Sequence, residues 1–395
     1  AHIIGIADGC THAGRVIVQI VVELLGSGGE GVHLAALVPR LVAAGDLARH
    51  GQVHIGVHIH LRMHAQIPQI RLAQHGTHEE LLEQIKERIE EYEIDGVLDS
   101  GMLEQLTEEP WYSPFPQYQV TERPDRAALE LLNGKVVLLC DNSPSALILP
   151  GSFSGFMESS EDWYHHFEAA SFLRILRYLA LLTAMLLPGL YLAVIRFHTQ
   201  ILPANLLLSF AEAREGVPFT SVTELMLLEL AFELIREAGV RVPGALGNAI
   251  GIVGGLIIGD AAVSANLVSP IVVMIVALTA LGSMVIPDEE FASAFRLMKY
   301  GFLFLGGYLG IYGIVLGLYL MISHLSGLLS FGVPYLVPFV RKHPVSRVGD
   351  GIWRIPFKKR QYRPVYAKSD QSLRLKRKAQ TKAAGKEAEN EIRRK

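Results

Sequence analysis

The sequence predicts an α-helical polytopic membrane domain, of about four spans plus an amphipathic or re-entrant helix, following a cytoplasmic α/β domain. Hydrophobic types make up 50% of the 395 residues and mean hydropathy is +0.31, which is more apolar than most soluble proteins. The charged residues, 19% of the chain, cluster on either side of the apolar region. Four segments approach the roughly 20 apolar residues that one helical span requires. They are Leu173–Ile195, Leu246–Leu267, Pro270–Ile286 and Gly301–Leu325.

Composition divides the chain into four parts. Residues 1–76 form an atypical histidine-rich segment, residues 77–165 a partial cytoplasmic α/β domain, residues 166–340 the transmembrane domain and residues 341–395 a basic cytoplasmic tail. Two cysteines are too few for a disulfide framework.

The first segment differs in composition from the rest. Residues 1–76 contain no Lys, Phe, Tyr, Trp or Asn, yet they hold nine of the fifteen histidines. A packed domain normally uses aromatic side chains in its core. We interpret this segment as foreign to the rest, for example translated in another reading frame. The start at Ala1 instead of Met is typical of a fragment or a misassigned start.

Two patterns within this segment suggest chemistry. Gly26, Gly28 and Gly31 fit the dinucleotide-binding G-x-G-x-x-G, with Asp46 about where a ribose-binding acid belongs. Histidines recur at helical or strand spacing, as in metal sites, but without Cys, Asp or Glu neighbours. These histidines are His50, His54, His58 and His60. Neither pattern is complete, so we expect no cofactor, no metal and no enzymatic activity.

The part from residue 77 alternates between predicted helices and strands. Apolar residues at helical spacing predict a helix over Glu79–Tyr92. Two β-rich runs around a turn containing Asp141 predict a hairpin. The other predictions are a short helix over Val97–Leu106, an extended stretch over Trp111–Val120 and a helix over Arg126–Leu132; the hairpin strands are Lys135–Cys140 and Ser145–Leu149.

Charges next to the spans predict the orientation. Arg174 and Arg177 flank the first span on its entry side, so the positive-inside rule places the preceding domain in the cytoplasm. Four spans place the acidic turn Pro287–Glu290 outside and the basic tail inside. Residues 358–395 carry fourteen Lys or Arg against four acids, which favours anionic lipids over nucleic acid because no aromatic platform accompanies the charge.

Ionisable residues near the membrane are candidate functional groups. The predicted amphipathic helix Thr220–Glu237 carries Glu229, Glu233 and Glu237 on one stripe. Asp260 lies inside an apolar, glycine-rich span, where a charge is costly unless it faces protein or water. The glycines Gly251, Gly254, Gly255 and Gly259 predict close helix contacts.

Several short motifs, in this order around the apolar pattern, resemble the A subunits of GerA-type spore germinant receptors and the related SpoVAF protein. The likeness runs from Glu80 to about Phe339 and includes Glu122, Arg123, Pro124 and Asp125 as well as Arg214, Glu215 and Gly216. The motifs are Asp95–Gly101, Ser113–Gln117, Thr121–Asp125, Arg214–Phe219, Glu237–Gly239 followed by Arg241, Val268–Pro270 and Phe331–Tyr335.

The resemblance implies a spore inner-membrane subunit of a nutrient receptor, with a permease-like B subunit and a lipoprotein C subunit as partners. It also implies that copies of the chain assemble into a ring that conducts cations. The candidate ion-path residues are then Glu229, Glu233, Glu237, Asp260, Thr220 and Thr223. A SpoVAF-like accessory channel and a secondary transporter remain the alternatives.

Overall fold

The computed structural model of the protein contains two compact units. The first, which we call the sheet unit, combines the residues up to Phe172 with those from Ser326 onward. The second, the helical unit, comprises Leu173–Leu325. The described residues are 55–59, 70–73, 79–92, 97–140, 143–242, 245–340 and 349–356.

A five-stranded antiparallel sheet forms the sheet unit, in the order β1-β2-β4-β5-β3. The predicted hairpin is confirmed, since Val136 pairs with Leu149 and Leu139 with Ala146. Its strands are rich in Val, Leu and Ile, which suit a sheet buried on both faces. The strands are β1 (Ile55–Ile59), β2 (Ile70–Ala73), β3 (Gln119–Thr121), β4 (Val136–Cys140) and β5 (Ala146–Leu149).

Helices cover both faces of this sheet. Successive side chains of β4 point to opposite faces, so Leu138 packs with Ile85 of helix α1 (Glu79–Glu90), while Val137 packs with Ala127 of helix α3 (Pro124–Asn133). Helix α2 (Ser100–Thr107) adds Leu103 to the α1 face. The core therefore lies on both sides of one small sheet.

The helices of the sheet unit lie close to their predicted positions. Helix α2 begins three residues later than predicted, because Asp99 adopts extended backbone angles and its carboxylate accepts a hydrogen bond from Gly101 N. Helix α3 starts at Pro124, whose fixed φ suits a first helical turn, and ends before Gly134, with φ 96°. Strands β1 and β2 lie before residue 77 and pair with the sheet, while the predicted domain boundary at residue 77 stays a prediction.

The chain after the helical unit completes the sheet unit. Phe331 joins the α1 face of the core, and its ring lies 5.4 Å from that of Tyr118. The smaller elements are α4 (Phe153–Phe156), a 3₁₀ turn (Ser160–Trp163), β6 (Leu329–Ser330), β7 (Val333–Pro334) and α11 (Gly349–Ile352).

The helical unit consists of apolar helices packed against one another. Leu192, Leu228, Val276 and Leu303 belong to one buried cluster, which joins four helices of the unit. Two described helices, α5 and α10, are long and apolar enough to span a bilayer, and α9 is apolar but shorter. The helices are α5 (Phe167–Phe197), a 3₁₀ turn (Thr199–Ile201), α6 (Ala204–Ala213), α7 (Ser221–Arg241), α8 (Ala245–Ser264), α9 (Pro270–Met284) and α10 (Glu289–Gly327).

Helix α10 reverses direction at Gly310. This residue has φ 65° and ψ −147°, a conformation that only glycine adopts readily. A Cβ at Gly313 would overlap the carbonyl of Leu305, and one at Gly317 would lie 2.8 Å from the Phe302 ring. Residues eight apart in a continuous helix are separated by about 12 Å, so residues 311–327 fold back along residues 289–309.

The prediction of one continuous span over Gly301–Leu325 is therefore wrong. The two arms run in opposite directions, so the acidic turn at Pro287–Glu290 and the end of α10 lie toward the same end of the hairpin. The path of α10 therefore gives no support to the prediction that this turn lies outside the membrane and the basic tail inside. The count of about four spans remains a prediction.

Candidate functional site

Helix α7 carries the predicted acidic stripe, and each acid of the stripe has a basic partner. Glu229 Oε2 lies 2.5 Å from Lys299 Nζ. Glu233 Oε1 lies 3.5 Å from Arg296 Nε, and Glu237 Oε1 lies 2.7 Å from an Arg241 nitrogen. The stripe is thus a row of ion pairs and not a bare acidic surface.

The three pairs differ in burial. The side chains of Glu229 and Lys299 are 3% and 6% exposed, whereas Glu237 is 62% exposed. Glu233 is intermediate, with 36% of its side chain exposed. Because the strength of an ion pair falls with solvent screening, the Glu229–Lys299 pair is the strongest and the most costly to break.

Two of these pairs connect α7 to the first arm of α10. Glu229 and Glu233 are one helical turn apart on α7, and Lys299 and Arg296 are one turn apart on α10. A nearby bond joins α7 to α9, because Arg236 donates to Ser283 Oγ at 2.7 Å. Charged side chains thus cross-link three apolar helices.

The orientation of α7 is the reverse of that in a water-soluble protein. Leu227, Leu230 and Leu234 are exposed, whereas Glu229 is buried among other helices. Apolar side chains outside and charges inside are typical of a helix that faces lipid.

A second polar cluster lies at the start of α7. Glu224 is fully buried; its Oε1 accepts a hydrogen bond from Ser269 N at 2.5 Å, and its Oε2 lies 3.5 Å from Arg214. Arg214 also donates to the hydroxyl of Ser221. The cluster brings together the Arg214–Phe219 and Val268–Pro270 motifs, about 50 residues apart in the chain.

Sequence reasoning missed Glu224 and Lys299. A buried carboxylate needs a partner, and Arg214 in the Arg214–Phe219 motif was a hint that an acid lies nearby. Lys299 lies just before the predicted span at Gly301. Nothing local in the sequence links either residue to α7.

The other predicted ion-path residues lie apart from these pairs. Asp260 is exposed on α8. Thr220 caps α7 by accepting a hydrogen bond from Thr223 N, and both threonines are exposed. Close contacts of the glycine-rich helix are present: Gly254 and Gly255 face Ile235 and Phe232 of α7, and Gly259 faces Val273 of α9. The ion-path role of all these residues remains a prediction.

The Thr121–Asp125 motif forms the start of α3. Asp125 accepts hydrogen bonds from Arg123, at 2.9 and 3.2 Å, and from the hydroxyl of Tyr164 at 3.0 Å. Burial raises the pKa of Asp125, but these donors outweigh it and leave the pKa below its ordinary value. Glu122 is exposed. The motif therefore stabilises the start of a helix. The Arg214–Phe219 motif also has a local structural role: Gly216, with φ 85°, shapes the turn after α6, beside the exposed Glu215.

Two further motifs meet in the sheet unit. Ser330 Oγ donates to Gln117 O at 2.9 Å and accepts from Gly151 N at 3.0 Å. The Tyr335 ring lies 6.4 Å from that of Phe115 and 5.8 Å from that of Phe156. The segments Ser113–Gln117 and Phe331–Tyr335 therefore pack together in the sheet unit, although more than 200 residues separate them in the chain.

The remaining candidates lie outside the described residues. These are the glycines from Gly26 to Gly31, Asp46, His50, His54, His60 and Asp141, together with the side chain of His58. Among the described residues, no group of three His, Cys, Asp or Glu is placed to hold a metal ion.

A small antiparallel sheet and a unit of apolar helices, among which α5 is long enough to span a bilayer, are the features of an α-helical membrane protein. The model of the Bacillus/Clostridium GerA spore germination protein family matches residues 69–366. The chain therefore belongs to the GerA family, as its motifs predicted.

Curated relatives agree with this family. The chain is 41% identical over 298 residues to spore germination protein KA of Bacillus subtilis (strain 168), which covers 75% of the chain and 54% of that protein. It is 40% identical over 278 residues to spore germination protein A1 of the same strain, covering 70% and 58%. It is 43% identical over 256 residues to that strain's uncharacterized membrane protein YfkQ, covering 65% and 50%. The matched region spans about half the length of each relative, and no solved structure matches the chain.

Proposed function

We propose that the chain is an A subunit of a nutrient germinant receptor in the spore inner membrane, and that copies of it assemble into a channel for monovalent cations. Membership of the GerA family supports the role in germination. The row of carboxylates on α7 supports the conduction of cations, because acidic side chains select for them at the mouth or wall of a pore.

The arrangement of the sheet unit supports placing both flanks of the helical unit on one side of the membrane. Gly151 precedes the apolar helices and Ser330 follows them, and the two residues are hydrogen-bonded within the same unit. An even number of membrane crossings is then required between them. Arg174 and Arg177 at the start of α5 make the cytoplasm the preferred side.

The helical unit exposes many large apolar side chains, as expected of a surface covered by lipid or by other subunits. Tyr312, Tyr319 and Leu281 are each at least 60% exposed. We propose membrane lipids, further copies of the chain, a permease-like B subunit and a lipoprotein C subunit as the partners of this surface. The basic tail adds electrostatic attraction to anionic lipids.

Reconstitution tests the conduction of cations directly. The full chain in proteoliposomes is expected to release K⁺ down its gradient, and light scattering in mild detergent is expected to show an oligomer. A variant with Glu229→Gln, Glu233→Gln and Glu237→Gln is expected to lose cation selectivity. The matched control is Glu122→Gln, which removes an exposed carboxylate from the sheet unit. Unchanged selectivity in the triple variant would contradict the assignment to α7.

A secondary transporter is the second candidate, because α10 is interrupted at Gly310 within an apolar segment. Transporters use such discontinuous helices at their substrate sites. The two functions differ in coupling: a channel releases K⁺ without a co-substrate, whereas a transporter requires one. A SpoVAF-like accessory channel would share the conduction of cations but would act without the B and C partners, so co-purification with those subunits separates it from the receptor subunit.

A further inference from the structure

The Glu229–Lys299 pair is a buried ion pair between two helices of the helical unit. Residues 229 and 299 belong to α7 and to the first arm of α10, 70 positions apart in the chain. Lys299 Nζ lies 2.5 Å from Glu229 Oε2 and 5.1 Å from the centre of the Tyr300 ring. The ammonium group is thus held by a carboxylate and lies near an aromatic face, two features that bind cations in general.

The carboxylate has capacity for more than this one partner. Glu229 Oε1 is buried and accepts no hydrogen bond from any described residue. A buried carboxylate with an unused oxygen is costly, because water no longer solvates that oxygen. The site therefore offers both an anionic charge and a free acceptor atom to a small cation.

Among the described residues, only Lys299 forms an ion pair with Glu229. Arg296 pairs with Glu233 at 3.5 Å, and Arg236 is hydrogen-bonded to Ser283. If the Lys299 ammonium leaves, the buried Glu229 carboxylate must bind another cation or a proton, because an unpaired charge is costly in apolar surroundings. A mobile cation is then strongly attracted to it.

We propose that Glu229 is a monovalent-cation site that Lys299 fills with its own ammonium group in the resting protein. The ammonium and K⁺ have nearly the same ionic radius and charge, and both bind oxygen ligands. Lysine carries its charge on a flexible four-carbon chain, so the ammonium can leave without movement of the α10 backbone. This inference rests on the proposed cation channel and adds a step of regulation: Lys299 blocks the site until its ammonium group swings away from Glu229.

The tether explains why Lys299 outcompetes free ions in the resting state. A group attached to the same protein has a high effective concentration at the site. We therefore expect the resting wild-type protein to show no specific K⁺ dependence, and a protein without the Lys299 ammonium to acquire one.

Thermal melting of the full chain in mild detergent, followed by far-ultraviolet circular dichroism, tests this expectation. Buffers contain KCl or N-methyl-D-glucamine chloride at equal ionic strength, because the latter cation is too large for the site. For Lys299→Met, we expect the midpoint in about 300 mM KCl to exceed that in the large cation by about 2–4 °C. The wild type and Lys299→Met/Glu229→Gln are expected to melt at the same temperature in both salts.

Arg241→Met is the matched control. It also removes a cation from an acid of α7, but its pair with Glu237 is exposed on both sides. We expect no specific K⁺ effect in this variant. A K⁺ effect of equal size in Arg241→Met, or in the double variant, would overturn the proposal because it would not depend on Glu229.

Loss of a buried partner can also prevent folding. Lys299→Gln keeps an N–H donor for the carboxylate and serves as the second variant. Purification of both variants in KCl is expected to yield folded protein, since K⁺ replaces the ammonium. Aggregation of both variants in KCl, or equal melting in the two salts, would overturn the proposal.

These outcomes are distinct from failure of the proposed function. The melting experiment measures binding and needs no conduction, whereas absence of K⁺ release from proteoliposomes by every variant would argue against the channel alone.

Discussion

A buried lysine–glutamate pair lies in each unit, and the two pairs differ in how their polar atoms are satisfied. In the sheet unit, Lys135 Nζ lies 3.0 Å from Glu130 and also donates to Gln119 Oε1 at 2.6 Å. In the helical unit, Lys299 Nζ lies 2.5 Å from Glu229, whose Oε1 has no described hydrogen-bond donor. Both lysines are almost fully buried.

The difference in sequence separation shows what each pair does. Glu130 and Lys135 are five residues apart and stabilise the turn from α3 into β4. Glu229 and Lys299 are 70 residues apart and join two helices. The local pair, with its hydrogen bonds made, stabilises the sheet unit. The long-range pair, with one oxygen lacking a described donor, is suited to breaking and re-forming between two helices.

Removing either lysine is expected to cause the largest loss of stability. Lys135→Met and Lys299→Met each leave a buried carboxylate without its counter-charge, which costs about 3–5 kcal/mol. All three tryptophans, Trp111, Trp163 and Trp353, belong to the sheet unit. Tryptophan fluorescence during urea unfolding should therefore detect Lys135→Met and not Lys299→Met.

Potassium sharpens this comparison. We expect KCl to restore part of the stability of Lys299→Met but none of that of Lys135→Met, because Asn133 already donates a hydrogen bond to the Glu130 carboxylate. Equal rescue of the two variants would show that the two pairs are equivalent and would contradict the distinction between them.

The packing of the helical unit predicts the next effect. A Cβ at Gly306 would overlap the backbone of Gly189 on α5, and a backbone obstacle cannot move aside as a side chain can. Gly306→Ala is therefore expected to lower stability by about 1–3 kcal/mol, as overpacking does. Gly301→Ala is the control, since no atom lies within 4 Å of the added Cβ. Far-ultraviolet melting should show a loss for the first and no loss for the second.

The stability of the sheet unit is expected to depend on pH in the acidic range. Burial raises the pKa of Glu130, but the charge and hydrogen bond of Lys135 outweigh it, so the pKa lies below its ordinary value of 4.5. A lowered carboxylate pKa stabilises the fold above the unfolded pKa, and this stabilisation is lost as the pH falls through the folded pKa.

The cost of Lys135→Met is therefore expected to be largest near neutral pH and to shrink as the pH falls, because acid first protonates the unpaired Glu130 of the variant and then, below 4.5, weakens the ion pair of the wild type. Urea unfolding of both proteins by tryptophan fluorescence, at a series of pH values, measures this. A cost that stays constant with pH would mean that the lost stability comes from packing and not from the ion pair.

The smallest expected effect is at the exposed start of α3. Asp125→Asn removes a partner of Arg123, whose side chain is 51% exposed, so solvent screening limits the loss to about 0.5–1 kcal/mol. Glu122→Gln changes an exposed carboxylate three residues earlier in the same motif and is expected to leave stability unchanged. Equal urea midpoints for Asp125→Asn and Glu122→Gln would show that the hydrogen bonds of Asp125 do not stabilise the start of α3.

Local sequence patterns predicted the sheet unit better than the helical unit. The β4–β5 hairpin and helix α1 follow from residue spacing over a few positions, and the structure has both. The acidic stripe of α7 also follows from spacing. Its partner Lys299 does not, because the pairing depends on how two distant helices pack.

The reversal at Gly310 was equally hidden. Gly306, Gly307, Gly310 and Gly313 are all glycines of one apolar segment, and only Gly310 has a positive φ among them. Which glycine turns the chain is decided by contacts with α5, such as that between Gly310 and Phe197. A single-residue signal of this kind cannot be read from composition or periodicity.

Ion selectivity of the full chain tests the central claim most directly. Planar bilayers containing the purified protein, with KCl at different concentrations on the two sides, give the reversal potential of any current. A channel lined by the acids of α7 predicts a reversal potential close to the equilibrium potential of K⁺, shifted toward zero by neutralising Glu229, Glu233 and Glu237. A current that reverses near the equilibrium potential of Cl⁻, or no current in any lipid mixture, would contradict the account.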